Sequence, residues 1–273
     1  MYELSPALRS KRVLVAGGGV AGMEAARVAA IRGHKVTLYE KRKALGGHLI
    51  EASIPDFKKD IGRLLNWYKV QLKNLGIEIR FSTEVTPELI ERDHPDEIFV
   101  ATGSNPIIPD VQGIERRNVV TAIDLLLEKK AGGSVVVIGG GLIGCETAFW
   151  LAEQGKKVTV VEMLPEVMTT GIRVPDENRI MLLDLLAVNN VDIVTNTVVQ
   201  EVTAAAVSVI DKTSRRRMIK AETVVLAVGL KANNKLCKSL RGKVSDWHAL
   251  GDCREPRNIM GAIWDGYEVA RMI

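Results

Sequence analysis

The sequence predicts an α/β protein built from two Rossmann-like dinucleotide-binding domains, one inserted in the other. Three observations carry this. A glycine-rich segment occurs twice, each copy lies between a strand-like apolar run and a helix-like stretch, and each copy is followed at the same interval by a glutamate.

The first copy, VLVAGGGVAG, runs from Val13 to Gly22, and the second, VVVIGGGLIG, from Val135 to Gly144, an offset of 122 residues from Gly17 to Gly139. The match continues downstream. Glu24 aligns with Glu146, Ala26 with Ala148, Gly33 with Gly155, Lys35-Val36-Thr37 with Lys157-Val158-Thr159, and Glu40 with Glu162. So long a period means duplication of one structural unit rather than a solenoid.

Each copy reads as strand, turn, helix, strand. Val13–Ala16 and Val135–Ile138 are short continuous apolar runs, as parallel strands buried on both faces require. Gly17–Gly22 and Gly139–Gly144 form the turns. Met23–Ile31 and Cys145–Gln154 read as helices stopped at Gly33 and Gly155, and Lys35–Glu40 and Lys157–Glu162 as second strands. In such a unit the first glycine permits the tight turn, the second lets backbone approach a pyrophosphate, and the third lets helix pack on strand. The helix N-terminus offers N–H groups and partial positive charge to phosphates. Each acid stands 23 residues after the first glycine of its copy, from 17 to 40 and from 139 to 162, close to the spacing expected of a ribose-binding carboxylate. Two sites in one chain imply two cofactors, most economically a flavin and a nicotinamide, with hydride transfer as the natural reaction.

Further segments differ between the halves. Lys41–Leu49 places Gly46-Gly47 soon after the first acid. Phe99–Gly103 and Val224–Gly229 read as strands ending at glycine, Ala249–Cys253 as a strand ending in Gly-Asp, and Met260–Met272 as a helix.

Composition sets the bounds. The 273 residues are 47% hydrophobic and 26% charged, with 4% aromatics and 24 glycines, an ordinary globular balance that argues against disorder. A net charge of +4 comes from interspersed residues. The runs Lys41-Arg42-Lys43 and Arg215-Arg216-Arg217 read as solvated turns, and no nucleic-acid reading motif is present. Cys145, Cys237 and Cys253 form no CxxC and no ligand set with the four histidines, so neither a disulfide framework nor a metal site is expected. His34, His94 and His248 read as surface or turn residues. No apolar stretch suggests a membrane span or secretion signal, so a cytoplasmic setting is expected.

The ordered set GGGVAG…E…GG, ATG, GGGLIG…E, AVG and GD resembles the flavoproteins with two dinucleotide-binding domains, relatives of glutathione reductase and thioredoxin reductase. The segments VIGGGLIGCETAFWLAEQGKKVTVVEM and ALGDCREPRNIMGAIWDGYEVARMI are similar to the C-terminal half of the multidomain NADH:flavin oxidoreductases related to old yellow enzyme, such as 2,4-dienoyl-CoA reductase, trimethylamine dehydrogenase and enoate reductase. The likeness covers roughly residues 10 to 273.

This resemblance implies an FAD-binding domain of residues 1–108 plus 236–273, with an NAD(H)-binding domain of 109–235 inserted, the crossings marked by Pro106, Pro109 and Gly113 and by residues 231–243. FAD would be held by Gly17, Gly19, Val20, Ala21 and Gly22 at the pyrophosphate, by Glu40 with Lys41 at the adenosine ribose, and by Gly46, Gly47, His48 and Leu49 along the ribityl chain and flavin. Ala101, Thr102 and Gly103, with Gly251, Asp252 and Met260 beside Gly261, would complete that site. NAD(H) would lie on Gly139, Gly141, Leu142, Ile143 and Gly144, with Gly229 near and Glu162 on the ribose, where an acid disfavours the 2′-phosphate of NADP(H). His48 departs from the glutamine more usual beside the glycine pair. Catalytic side chains stay unassigned. Without a CxxC, disulfide-relay chemistry is unsupported. Cys145 reads as packing, with a redox thiol at the helix start as the minor alternative; a Cys253 thiol that could approach the flavin is likewise only a minor alternative, and Cys237 reads as structural or exposed.

The relatives carry an FMN barrel and an iron–sulfur segment that are not in this sequence. The expectation is a piece of a longer protein, or a reductase subunit, that passes hydride from NADH to FAD and electrons onward to such an acceptor domain or partner. The alternatives are a non-catalytic ADP-binding module of a larger flavoenzyme and a reductase acting directly on a small acceptor.

Overall fold

The computed structural model describes residues 4–127, 130–171, 173–242 and 244–273. Residues 1–3 of the expected first domain and Lys243 at its second crossing lie outside the described residues.

The chain divides into two compact units, Met1–Asn105 with Lys231–Ile273, and Pro106–Leu230. In chain order the first unit opens with β1 (Arg12–Ala16), α1 (Val20–Ile31), β2 (Lys35–Tyr39), α2 (Leu49–Ala52), α3 (Lys59–Asn74), β3 (Glu78–Arg80), α4 (Pro87–Asp93) and β4 (Glu97–Val100), and leaves through β5 (Ser104–Pro106). The second runs through β6 (Val119–Thr121), α5 (Ala122–Leu127), β7 (Ser134–Ile138), α6 (Leu142–Glu153), β8 (Lys157–Val161), α7 (Asp176–Val188), β9 (Asp192–Val194), β10 (Thr197–Val202), β11 (Ala206–Asp211), β12 (Arg216–Lys220) and β13 (Thr223–Leu226). Return is through β14 (Leu230–Ala232), followed by α8 (Lys235–Leu240), β15 (Trp247–Ala249), a 3-10 turn at Gly251–Cys253, and α9 (Ile259–Ala270). The cuts fall at 105/106 and 230/231 rather than at 108/109 and 235/236. The Ile107 N–H donates to the Gly229 carbonyl at 3.0 Å inside the second unit, whereas Leu236, Cys237 and Leu240 of α8 belong to a core of the first.

Each unit is built on a five-stranded parallel sheet. The first has strand order β15-β4-β1-β2-β3, the second β6-β13-β7-β8-β9, and every pairing within them is parallel. Side chains alternate across a strand, so β1 sends Val13 and Val15 into one core and Leu14 and Ala16 into the other. The Val13/Val15 face is covered by α1, α3 and α9 through Met23, Ala25, Tyr68, Leu72 and Ala262; the opposite face is covered by α4 and α8. In the second unit Val135 and Val137 of β7 face α5, α6 and α7, while Val136 and Ile138 pack under the antiparallel β10-β11-β12 sheet through Val202, Val207 and Val209. In both sheets the strand order reverses beside the fingerprint strand, between β1 and β4 and between β7 and β13. Such switch points open a crevice at the carboxyl ends of the strands.

Several elements differ from expectation. Helices α1 and α6 begin three residues earlier, at Val20 and Leu142, because the middle glycine of each fingerprint is the N-cap. Gly251-Asp252 lies in a 3-10 turn and not at a strand end, since β15 stops at Ala249. Arg216 and Arg217 are exposed residues of β12, an outer strand of the antiparallel sheet, not a solvated turn. His34 is buried, its Nδ1 accepting the Lys11 N–H at 3.1 Å, because Gly33 turns the chain back beneath the sheet end. Among the described residues no helix is long and apolar enough to cross a membrane.

Candidate functional site: two glycine cradles

The two fingerprint turns are built alike. The chain leaves β1 at Gly17, where φ is 115° and a Cβ would lie 2.2 Å from the Ala101 carbonyl oxygen just past β4. At Gly22 a Cβ would lie 1.9 Å from the Gly17 oxygen, so only glycine lets α1 start against the strand end. The second copy repeats this, with Gly139 2.6 Å from the Ala227 oxygen and Gly144 2.0 Å from the Gly139 oxygen.

The middle glycines answer a different need. A Cβ on Gly141 would meet nothing within 4 Å, and on Gly19 only the Gly47 Cα at 4.0 Å. Neither clashes with the protein, so what a side chain there would occupy is the space over the helix start. No side chain caps α1 or α6 at these residues, whereas Thr86 caps α4 and Asn258 caps α9. First-turn N–H groups without a side-chain acceptor, with the helix dipole behind them, suit a diphosphate. Val20 and Ala21 form the first turn of α1, and Leu142 and Ile143, both exposed, that of α6.

Both acids are buried and held by the turns they serve. Glu40 Oε2 accepts the Gly18 N–H at 2.8 Å and Oε1 the Arg42 N–H at 2.7 Å. Glu162 Oε2 accepts the Gly140 N–H at 2.6 Å and Oε1 the Leu164 N–H at 2.9 Å. An ionised carboxylate has about four acceptor directions, so each keeps capacity for ribose hydroxyls. These residues fit an adenine dinucleotide in both copies.

The first cradle has further walls. The Gly46 N–H donates to the Gly18 oxygen at 2.9 Å, and Gly47, at φ 51°, faces Gly19 so closely that a Cβ would lie 3.0 Å from the Gly19 Cα. Leu49 turns its side chain into the core, and Lys41 is exposed. Past Ala101, Thr102 Oγ1 donates to the Asn233 oxygen at 2.7 Å and the Gly103 oxygen accepts the Asn233 N–H at 2.9 Å. Gly251, at φ 60°, brings the Gly-Asp turn against α1, where a Cβ would lie 2.8 Å from that of Ala21. Asp252 Oδ2 accepts from Ser104 Oγ at 2.8 Å and Oδ1 from the Arg257 N–H at 3.2 Å. Met260, exposed, and Gly261 open α9. In the second unit Gly229, at φ 110°, follows Ala227 beyond β13.

His48 is the N-cap of α2, with Nδ1 2.5 Å from Glu51 Oε1 and Nε2 3.1 Å from Ser104 Oγ. Burial lowers its pKa, but the hydrogen bond and charge of Glu51, with the charge of Asp252, outweigh it and raise the value above normal. Glu51 and Ser104 escaped the sequence reading. The i,i+3 spacing of His48 and Glu51 was a usable signal; the Ser104 contact spans 56 residues and had none. Asp265 escaped as well. Buried on α9, it accepts the Gly251 N–H at 3.0 Å and the Arg257 side chain, fixing the Gly-Asp turn.

The thiols sit in cores. Cys145 Sγ donates to the Gly140 oxygen at 3.5 Å, and burial, reinforced by the Glu162 and Glu146 charges, pushes it up to about 12, against the activated-thiol alternative. Cys253 Sγ donates to the Val100 oxygen at 2.9 Å and the Leu250 oxygen at 3.2 Å, and Cys237 is buried in the same cluster. Among the described residues no group of His, Cys, Asp or Glu is placed to hold a metal ion.

Two adenine-dinucleotide cradles of this geometry have a family counterpart: residues 11–266 match the pyridine nucleotide-disulphide oxidoreductase family. The chain belongs to that family. Within it, the sequence is 42% identical over 273 residues to a cinnamate reductase of Clostridium sporogenes, covering 100% of this chain and 41% of the relative. It is 39% identical over 277 residues to an NADH oxidase of Thermoanaerobacter brockii, covering 99% and 42%. The structure of a 2-naphthoyl-CoA reductase superposes with a TM-score of 0.93 at 35% identity, covering 99% of this chain and 41% of that one. The chain thus spans less than half the length of these relatives, and matches the C-terminal FAD/NAD module of multidomain flavoproteins related to old yellow enzyme. FAD and NAD(H) are the cofactors of this family module.

Proposed function

We propose that the chain is an NADH-dependent flavin reductase module, with FAD on the first unit and NAD(H) on the second. The observation that carries the reading is the pair of open middle glycines, Gly19 and Gly141, each at the uncapped start of a helix and each beside a buried, turn-held acid. When bound, the nicotinamide would supply a hydride and the flavin the capacity to take it up and pass electrons on.

The chain's own residues bind and orient. Gly17, Gly19 and Gly22 with the α1 N-terminus would hold the FAD diphosphate, Glu40 its adenosine ribose, and Gly46, Gly47 and His48 the stretch beyond, with the Leu49 backbone. Asp252, fixed by Ser104 and by the Arg257 N–H, would accept from the ribityl hydroxyls. Ala101, Thr102 and Gly103 would form a wall, and Met260 a rim. Gly139, Gly141 and Gly144 with Leu142 and Ile143 would hold the NADH diphosphate, with Gly229 near and Glu162 on the ribose. Glu162 also repels a 2′-phosphate, and Met163 beside it offers no cation, so NADH is favoured over NADPH. No side chain is assigned a proton-transfer role. The reductase names of the relatives support an onward acceptor, a further domain or a partner subunit such as an FMN barrel with an iron–sulfur cluster.

The test is anaerobic mixing of FAD-reconstituted protein with NADH, followed at the flavin absorbance band. Rapid bleaching is expected, slower with NADPH by at least about tenfold, one decade of ribose discrimination. Retained FAD colour with no bleaching would overturn the reductase reading and leave a nucleotide-binding scaffold.

A further inference from the structure

Beneath the first cradle lies a polar chain that binding alone does not require. It runs Glu51, His48, Ser104, Asp252, with separations of 2.5, 3.1 and 2.8 Å, and joins α2, β5 and the 3-10 turn. Glu51 is 4% exposed, and its second oxygen, Oε2, has no hydrogen-bond partner among the described residues. A buried carboxylate left this way needs a cation. His48 pairs with it, whereas Arg257, which gives Asp252 its backbone N–H, engages Asp265 with its side chain.

The hydroxyl between the two ends is directional. Ser104 has a single O–H to donate. If His48 is an imidazolium, Nδ1–H donates to Glu51 and Nε2–H donates to Ser104 Oγ, so the Ser104 hydroxyl is free to donate to Asp252. If His48 is neutral with its proton on Nδ1, facing Glu51, then Nε2 becomes an acceptor. It competes with Asp252 for the same O–H, and whichever loses faces an oxygen or nitrogen lone pair at close range. One proton on His48 therefore decides whether Asp252 keeps its donor.

We propose that His48 is a positioning residue for FAD: its protonated ring, held by Glu51, sets the Ser104 hydroxyl toward Asp252 and so couples flavin affinity to pH. The inference rests on the reading that the first unit binds FAD. The groups facing the ring are Glu51 from its own helix, Ser104 from β5 and the charge of Asp252 from the 3-10 turn. The upward displacement of the His48 pKa agrees with a ring stabilised as the cation.

The sign follows. The imidazolium fixes Asp252 and offsets two carboxylates in a site that receives an anionic diphosphate ligand. FAD is then held more tightly below the His48 pKa and released more readily as pH rises through it. Linkage requires the reciprocal effect, a rise of the His48 pKa on FAD loading. A rise of about 0.5 to 1 unit corresponds to a roughly three- to tenfold weakening of FAD binding across the transition.

The experiment uses the full chain. His48 is titrated by NMR of isotope-labelled histidine, assigned by the signal lost in His48→Gln, in FAD-free and FAD-loaded protein. The FAD Kd is measured in parallel by fluorescence between pH 5.5 and 8.5. Expected are a higher His48 pKa in the loaded protein, a matching slope in Kd, and a shallower slope in Ser104→Ala, where His48 still titrates against Glu51 and keeps only its direct charge effect. A charge effect that bypasses the hydroxyl would leave the full slope intact in Ser104→Ala and would overturn the relay, and a packing role would give no slope in either protein. FAD binding whose Kd does not change with pH, or an unmoved His48 pKa on loading, overturns the relay alone. Failure of the wild-type chain to take up FAD at any pH overturns the reading of the first cradle, and the relay with it.

Discussion

The two cradles share a backbone plan and part company after the acid. Counting 122 residues onward from Leu45, Gly46 and Gly47 gives Val167, Met168 and Thr169. Leu45 and Val167 occupy the same place, each the nearest obstacle to a Cβ on the middle-turn glycines Gly18 and Gly140, at 2.5 and 2.6 Å. Gly46 and Met168 make the same bond, their N–H groups donating to the Gly18 and Gly140 oxygens at 2.9 and 2.7 Å. Both have positive φ, 137° and 58°. Gly47 then comes close beneath Gly19, while Gly141 has open space in front of it. One duplicated loop has become a second wall in the first unit and has stayed a plug of side chains in the second, where Met168 is 5% exposed. Rims differ as well. Gly251 and Gly266 bring the Gly-Asp turn and α9 onto Ala21, whereas Leu142 and Ile143 at the matching helix start are exposed. A walled cradle suits a resident ligand, and an open one suits a ligand that must come and go.

The sharpest way to break this comparison is to close each cradle in turn. Gly22→Ala puts a methyl 1.9 Å from the Gly17 oxygen and Gly144→Ala one 2.0 Å from the Gly139 oxygen, both against backbone that cannot step aside. Overpacking costs about 1–3 kcal/mol, and more where the obstacle is rigid backbone. Gly22→Ala should abolish FAD retention, seen as colourless protein, while leaving NADH binding measurable by calorimetry. Gly144→Ala should do the reverse. Loss of both ligands in either variant would mean that the cradles do not act as separate sites.

A smaller effect tests the acids. Glu162→Gln removes the charge and leaves one oxygen for two backbone donors, Gly140 and Leu164, so one N–H must face an amide N–H. Losing a charged hydrogen bond costs about 2 kcal/mol, which predicts a roughly 30-fold weaker Kd for NADH with FAD content unchanged. Because the charge that opposes a 2′-phosphate is also gone, the preference for NADH over NADPH should narrow when the two Kd values are compared.

These features were legible in sequence to different depths. The fingerprints could be read because their residues are close in sequence: strand, three glycines and acid lie within 28 residues, 13–40 in the first copy and 135–162 in the second. The continuation of the repeat through Met168 was harder to see, since the same backbone is met there by glycine in one copy and methionine in the other. The relay from Glu51 to Asp252 was illegible apart from its i,i+3 step, because the Ser104–Asp252 bond closes over 148 residues of chain. His34 was misread for a related reason. Nothing near it in sequence shows that the Lys11 N–H would reach it across 23 residues.

The smallest expected effect concerns Met168, and two opposing terms decide it. A non-glycine residue in the left-handed region carries a backbone cost of about 1–2 kcal/mol, which Met168→Gly would relieve. Against this stands the loss of a nearly fully buried side chain, worth about 1.5–3 kcal/mol, and the greater chain entropy of glycine in the unfolded state, about 0.5–1 kcal/mol. The losses exceed the relief, so Met168→Gly should lower the urea midpoint of the second unit by the equivalent of about 1 kcal/mol. The reverse exchange, Gly46→Met, should cost more, because a Cβ at Gly46 would lie 2.7 Å from Ile50 Cγ1 and 3.0 Å from Leu65 Cδ2. If Met168→Gly instead stabilised the protein, the side chain would not be what seals the second loop, and the contrast drawn between wall and plug would fail at the residue on which it turns.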